Sequence, residues 1–175
     1  MITKLVVDAS VAIKWFVPEP LSVEARRILD DYQGGAISVL APDLIYAEAG
    51  NIVWKKHVFQ GLVASDAETI VDEFRKLVIK VTAAADLIDD AYRLAVSHRR
   101  SVYDSLYLAL TIRESCQFVT ADEKLASQCG KVFASQRHMA CELAVTDTAI
   151  NSGVRRSAPR VMVLIRCGAP RRYAC

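Results

Sequence analysis

The chain has 175 residues, of which 53% are hydrophobic, and this length suits one domain with a single core. It contains no apolar run near the roughly 18 residues of a membrane span and no signal-like apolar segment after Met1, so we expect a cytoplasmic protein that does not enter the membrane. The five cysteines include no C-x-x-C pair, which argues against a zinc or disulfide framework.

The charge is distributed unevenly along the chain. From Asn151 onward there are six arginines and no Asp, Glu or Lys, so the net charge of +2 becomes +2 − 6 = −4 for residues 1–150. We predict a domain over residues 1–143 and a poorly ordered, arginine-rich tail over residues 144–175. Two alternatives stay open: the tail is an RNA-binding arm that acts by counterion release, or its apolar run at 161–165 adds an edge strand.

Within residues 1–143, short apolar runs alternate with helical patterns. The predicted strands are 5–7, 37–40, 77–81, 117–120 and 131–134. The predicted helices cover 10–16, 21–32, 43–57, a segment that starts at 65, 84–98, 101–115 and 121–128. This alternation predicts an α/β fold with a parallel sheet that helices cover on both faces. Right-handed crossovers would bring the carboxyl ends of the strands together along one rim.

Four acidic residues stand where this rim is expected. Asp8 directly follows the first predicted strand, and ligands of open parallel sheets bind outside the carboxyl ends of the strands. Asp122 follows the strand at 117–120, and Asp104 lies near the start of a helix. Glu48 lies inside a predicted helix between two alanines, where a lone buried carboxylate needs a partner or a metal.

Each carboxylate also has a purely structural interpretation. Asp8 fits a helix N-cap, and the segments from Ser101 to Asp104 and from Thr120 to Glu123 fit capping boxes. Taken together, oxygen ligands without a Cys or His pattern favour Mg²⁺ or Mn²⁺. Such ions lower the pKa of a bound water and orient it for in-line attack on phosphorus. The predicted chemistry is therefore phosphodiester hydrolysis.

The acidic residues lie in four motifs: VVDASVAIKWF at 6–16, AEAGN at 47–51, YDSLYLAL at 103–110 and FVTADEKL at 118–125. In order and spacing these motifs resemble the PIN-domain ribonucleases, and most closely the VapC-type toxins of prokaryotic toxin–antitoxin operons. The resemblance covers residues 3–135, and the arginine-rich tail has no counterpart in it. It implies an α/β/α sandwich on a central parallel sheet and an endoribonuclease that depends on Mg²⁺ or Mn²⁺.

The same resemblance implies an RNA substrate, a homodimer, and a small antitoxin protein that inserts into the active-site cleft. The family's acidic quartet, which binds metal and acts in catalysis, matches four residues: Asp8, Glu48, Asp104 and Asp122. Supporting polar positions beside the quartet match three more: Ser10, Asn51 and Thr120.

Two other functions stay open from the sequence: a non-catalytic RNA- or partner-binding module on the same fold, and a metal-dependent phosphatase of small molecules. Nucleotide-binding glycine motifs, a serine-hydrolase elbow and an H-E-x-x-H pattern are all missing from the sequence. Arg99 and Arg100 precede the helix of Asp104 and are weaker candidates for contact with a substrate phosphate. We interpret the stripe that includes Tyr103 and Tyr107 as core or dimer packing.

Overall fold

The structure, a computed structural model, describes residues 2–126, 143–145 and 162–166, with only the backbone described for 143–145 and 163–166. Six strands form one sheet: β1 (Thr3–Val7), β2 (Ile37–Pro42), β3 (Lys80–Thr82), β4 (Gln117–Thr120), β5 (Leu143–Val145) and β6 (Val163–Arg166).

The helices between these strands follow the predicted alternation. They are α1 (Ala9–Ala12), α2 (Ser22–Gln33), α3 (Ile45–Gln60), α4 (Ala64–Lys76), α5 (Ile88–His98) and α6 (Val102–Glu114). Two 3₁₀ turns, Ile13–Trp15 and Ala84–Asp86, follow α1 and precede α5, and residues 123–126 are helical after β4.

The strand order is β3-β2-β1-β4-β6-β5, and the first four strands are mutually parallel. Right-handed crossovers place α1 to α4 on one face of these strands and α5 and α6 on the other. Helix α6 packs on β1, β2 and β4, while α2 packs on β2. The predicted three-layer α/β/α arrangement on a central parallel sheet is thus confirmed.

The central strands form the core because both of their faces are covered. Val6, Val7, Phe118 and Val119 are all buried, so the continuous apolar runs of β1 and β4 are those expected of a parallel sheet between two helical layers. A buried carboxylate directly after β1 is therefore an exception that calls for a chemical reason.

Several element boundaries differ from the prediction, and two of these differences lie near β3. The strand predicted at 77–81 begins only at Lys80, because Leu77 ends α4 in an extended conformation and Val78 is 86% exposed. The helix predicted over 84–98 is divided at Leu87 between a 3₁₀ turn and α5. The strand predicted at 131–134 lies outside the described residues.

Part of the C-terminal segment lies in the sheet. Strand β6 pairs antiparallel with β4, with Thr120 opposite Val163, and Met162 is buried in the core. A strand therefore forms over most of the run at 161–165, but β6 lies between β4 and β5 and is not the edge strand of the alternative. Residues 144 and 145 belong to β5, and the other residues of the predicted tail lie outside the described residues. The domain boundary at residue 143 stays a prediction. Within the described part of the chain, no helix has the length and apolar character to cross a membrane.

Candidate active site

Four segments carry the acidic residues toward the carboxyl edge of the parallel strands: the end of β1, the start of α3, the start of α6 and the end of β4. Asp8 follows β1 there, and its backbone amide donates to the Val119 carbonyl of β4 at 3.3 Å. At the opposite edge of the sheet, Lys4 near the start of β1 forms an ion pair of 2.7 Å with Glu114. Glu114 is the last residue of α6, so the end of this helix lies at that opposite edge. The first turn of α6, which carries Asp104, therefore faces the edge where Asp8 lies.

Asp8 is buried, with 5% of its surface exposed, and several donors surround its carboxylate. Oδ1 accepts hydrogen bonds from Ser10 Oγ at 2.5 Å and from the Val11 amide at 3.1 Å, while Oδ2 accepts one from Thr120 Oγ1. The bond from Val11 makes Asp8 the N-cap of α1, so the structural interpretation is also correct. Burial and, as a smaller cause, the charge of Glu48 together raise the Asp8 pKa to about 6, although these hydrogen bonds oppose the rise.

The two hydroxyls that bind Asp8 also connect the ends of β1 and β4. Ser10 Oγ accepts from the Ala121 amide at 2.9 Å, and Thr120 Oγ1 accepts from the Asp122 amide at 3.0 Å. Each hydroxyl thus donates to the carboxylate and accepts from the backbone after β4. Because both hydroxyls are committed in this way, the orientation of Asp8 is fixed before any ligand binds.

Glu48 lies on the first turn of α3 and is half-buried. The hydroxyl of Tyr107 donates a hydrogen bond of 2.5 Å to Glu48 Oε2. Burial raises the Glu48 pKa, the bond from Tyr107 opposes this, and the charge of Asp104 adds to the rise. The apolar stripe of this helix predicted only a packing role for Tyr107. The spacing of three residues between Asp104 and Tyr107 on α6 was the signal that both side chains face the same site.

Asp104 and Asp122 are closer to solvent than Asp8. Asp104 is half-buried, and its backbone amide donates to Ser101 Oγ at 3.0 Å, so Ser101 caps α6 as the sequence predicts. Asp122 is exposed, and its Oδ1 accepts from the amides of Lys124 and Leu125 at 2.8 and 3.1 Å.

The cap of the helix after β4 is therefore Asp122. The interpretation of Thr120 as that cap is wrong, because Thr120 Oγ1 accepts from the Asp122 amide and the amides of the helix donate to Asp122 Oδ1. Asn51 is exposed, one turn after Glu48 on α3. The structure thus links Asp8, Glu48 and Asp104 electrostatically and joins Asp122 to them through Thr120.

The chemistry of these side chains fits a hard divalent cation. Carboxylate oxygens are the ligands that Mg²⁺ and Mn²⁺ prefer. Burial and, to a smaller extent, a neighbouring negative charge raise the pKa values of Asp8 and Glu48, and a bound cation would favour their ionised forms. Among the described residues, however, no group of three or more His, Cys, Asp or Glu side chains is arranged to hold a metal ion. The quartet as a set of metal ligands therefore stays a prediction.

An apolar groove lies between α4 and α3, the helix that carries Glu48. It has a volume of about 300 Å³, and none of the four acidic residues lines it. Its lining consists mostly of apolar side chains from the 3₁₀ turn, α3 and α4: Ile13, Tyr46, Ala49, Val53, Val71 and Phe74. The groove is thus a separate surface that could receive an apolar segment of a partner.

The sequence is similar to that of a known domain family. The family model of the PIN domain matches residues 5–131. Ribonuclease VapC3 of Pyrobaculum aerophilum is 34% identical over 128 residues, which cover 71% of this chain and 94% of that protein.

Two solved structures share the fold. PAE2754 from Pyrobaculum aerophilum matches with a TM-score of 0.54 and 24% identity, over 72% of this chain and 79% of that chain. Mycobacterium tuberculosis VapC20, described as a sarcin–ricin loop cleaving toxin, matches with a TM-score of 0.53 and 17% identity, over 70% of this chain and 93% of that chain.

Proposed function

The chain belongs to the PIN domain family, and from this premise we propose that it is a divalent-metal-dependent endoribonuclease, the toxin of a type II toxin–antitoxin pair. The similarity to Ribonuclease VapC3 supports ribonuclease activity, since it extends over nearly the whole of that relative.

The observation that carries the proposal is the buried carboxylate of Asp8 beside Glu48. Burying the Asp8 carboxylate at the end of a core strand costs free energy, as its raised pKa of about 6 shows. The role of Asp8 as the N-cap of α1 does not explain this cost, because an N-cap does not need to be buried beside a second acid. Such perturbed acids concentrate at functional sites.

In this proposal Asp8, Glu48, Asp104 and Asp122 hold the cation. A divalent cation bound there supplies activation of water and neutralisation of charge on the scissile phosphate. Ser10 and Thr120 keep the Asp8 carboxylate oriented by the bonds described above.

In the same proposal Asn51, which is exposed one turn after Glu48 on α3, contacts the RNA or the ion. No histidine acts as a general base in this scheme, because the acidic residues and the cation provide the required chemistry.

The partners follow from the same proposal. The groove between α3 and α4 would offer an antitoxin an apolar surface on the helix that carries Glu48. A homodimer is supported by exposed apolar side chains at helical spacing on α5, namely Ile88, Tyr92 and Val96. We place the reaction in the cytoplasm, where both RNA and an antitoxin made from the same operon would be available.

The experiment is a substrate panel on the purified protein with Mn²⁺, Mg²⁺ or EDTA. The proposal expects cleavage of structured RNA with either metal and none with EDTA. RNA binding without cleavage would instead indicate the binding module. Hydrolysis of nitrophenyl phosphate or a mononucleotide, with intact RNA, would indicate the phosphatase.

A further inference from the structure

Tyr107 is a buried residue whose hydroxyl contacts one of the acidic residues and has no assigned role in the proposed reaction. It is 2% exposed, and its ring packs against Phe118 of β4 with 6.3 Å between the ring centroids. A phenylalanine would fill this space equally well. The hydroxyl therefore needs a separate explanation, since burying it without a partner would cost free energy.

The Tyr107 hydroxyl joins two of the helices that carry the acidic residues. It donates to Glu48 Oε2 at 2.5 Å, across 59 positions of sequence. Asp104 lies three residues before Tyr107, hence on the same side of α6. Helix α6 thus carries one proposed metal ligand and the group that contacts another.

The surroundings of Tyr107 place its hydroxyl beside Asp8 as well. Burial raises the Tyr107 pKa well above its usual range, with further rises from Glu48 and Asp8, so the phenol keeps its proton and acts as a donor. Because Oε2 of Glu48 accepts the hydrogen bond from Tyr107, Oε1 is the carboxylate oxygen that would bind a cation.

We propose that Tyr107 is a positioning residue that holds the Glu48 carboxylate toward Asp8 and Asp104 through the hydrogen bond from its hydroxyl to Oε2. This inference rests on the proposed function, because it assumes that Glu48 is a metal ligand. Without the hydroxyl, the Glu48 side chain regains the rotamers that point away from the site, and the cation loses a pre-oriented ligand. Groups that orient metal ligands in this way typically contribute 10- to 100-fold in metal affinity or activity.

The test is Mn²⁺ binding to Tyr107→Phe, measured by electron paramagnetic resonance of free Mn²⁺ without RNA, together with the metal dependence of cleavage. We expect the dissociation constant and the activating Mn²⁺ concentration to rise about 10-fold or more, with kcat at saturating metal reduced far less. Wild-type Mn²⁺ affinity in a folded Tyr107→Phe protein would overturn the inference.

Two control variants separate positioning from stability. Thr111→Val removes another buried hydroxyl of α6, which donates to the Tyr107 carbonyl at 2.8 Å, and Tyr103→Phe removes an exposed tyrosine hydroxyl from the same helix. Both should keep wild-type Mn²⁺ affinity. If Thr111→Val weakens binding as much as Tyr107→Phe does, then general loosening of α6 explains the effect and the inference is wrong.

Glu48→Gln distinguishes this inference from the proposed function. If the wild type binds no Mn²⁺, or Glu48→Gln binds it like the wild type, the proposed metal site has failed. If Glu48→Gln loses binding and Tyr107→Phe keeps it, only the positioning role has failed.

Should Tyr107→Phe not fold, 4-fluorophenylalanine at position 107 fills the volume of the tyrosine hydroxyl but cannot donate a hydrogen bond to Glu48. The Mn²⁺ dissociation constant of this protein should also rise about 10-fold or more. Wild-type Mn²⁺ affinity would overturn the inference.

Discussion

The buried Asp8 should destabilise the metal-free protein at neutral pH, and Asp8→Asn should relieve this. The folded-state pKa is raised from 3.8 to about 6, so the folded state binds more protons than the unfolded state between these values. The contribution of Asp8 to stability is therefore most favourable below pH 3.8 and is lost as the pH rises through 6. A rise of the pKa from 3.8 to about 6 corresponds to about 3 kcal/mol above pH 6, of which about 2 kcal/mol is lost between pH 4.5 and 7.5.

Asp8→Asn removes this charge but also weakens hydrogen bonds. Asn caps helices as well as Asp does, so the bond from Val11 can remain. An amide nitrogen cannot accept from Thr120, which costs about 1 kcal/mol. We expect a net gain of about 2 kcal/mol at pH 7.5, or a melting temperature about 4–8 °C higher for a chain of this size.

The assay is thermal unfolding in EDTA at pH 4.5 and pH 7.5, with Asp30→Asn, which alters an exposed carboxylate of α2, as the matched control. The gain of Asp8→Asn over the wild type should be present at pH 7.5 and largely absent at pH 4.5. A gain of equal size at both pH values, or none at pH 7.5, would refute the account of Asp8 as a buried, repelled carboxylate.

Three further outcomes are expected. Saturating Mn²⁺, at 100 times its dissociation constant, should stabilise the wild type by about 2.7 kcal/mol and the Asp8→Asn/Asp122→Asn variant much less; equal shifts would place the ion elsewhere. Thr120→Val should lower the free energy of unfolding in urea by about 1–3 kcal/mol and reduce cleavage, because the Asp8 carboxylate and the Asp122 amide each lose a hydrogen-bond partner. The control Thr69→Val, on the exposed face of α4, should change neither stability nor cleavage. Met162→Ala should cost about 2–5 kcal/mol although it lies in the predicted tail, because its side chain is buried; an unchanged free energy of unfolding would show that this segment does not support the sheet.

The order of strands and helices could be predicted because periodicity and burial agree along β1 and β4. The apolar runs at Val6 and Phe118 lie in the core as expected of central parallel strands. Boundaries were less predictable where an apolar run begins at the end of a helix, as it does at Leu77 before Lys80. There, the end of α4 decides where the strand begins.

The candidate site could be predicted in part for a similar reason. A carboxylate after a buried strand is visible in the sequence, and so is the rule that strand ends share one rim. The role of Tyr107 was hidden, because an aromatic residue in a helical stripe has the same pattern whether its hydroxyl is idle or bonded to Glu48. The sequence also could not show that Thr120, 112 positions after Asp8, donates to the same carboxylate as Ser10. That hydrogen bond depends on the register of β1 with β4.

The central claim is that acids from β1, α3, α6 and the end of β4 form one metal-dependent catalytic site. The most direct measurement is cleavage of end-labelled RNA with Mn²⁺ by the wild type, Asp104→Asn and Asp90→Asn, where Asp90 is an exposed carboxylate of the neighbouring α5. The account predicts loss of cleavage in Asp104→Asn with retained folding, and wild-type cleavage in Asp90→Asn. Wild-type cleavage by a folded Asp104→Asn protein would contradict it.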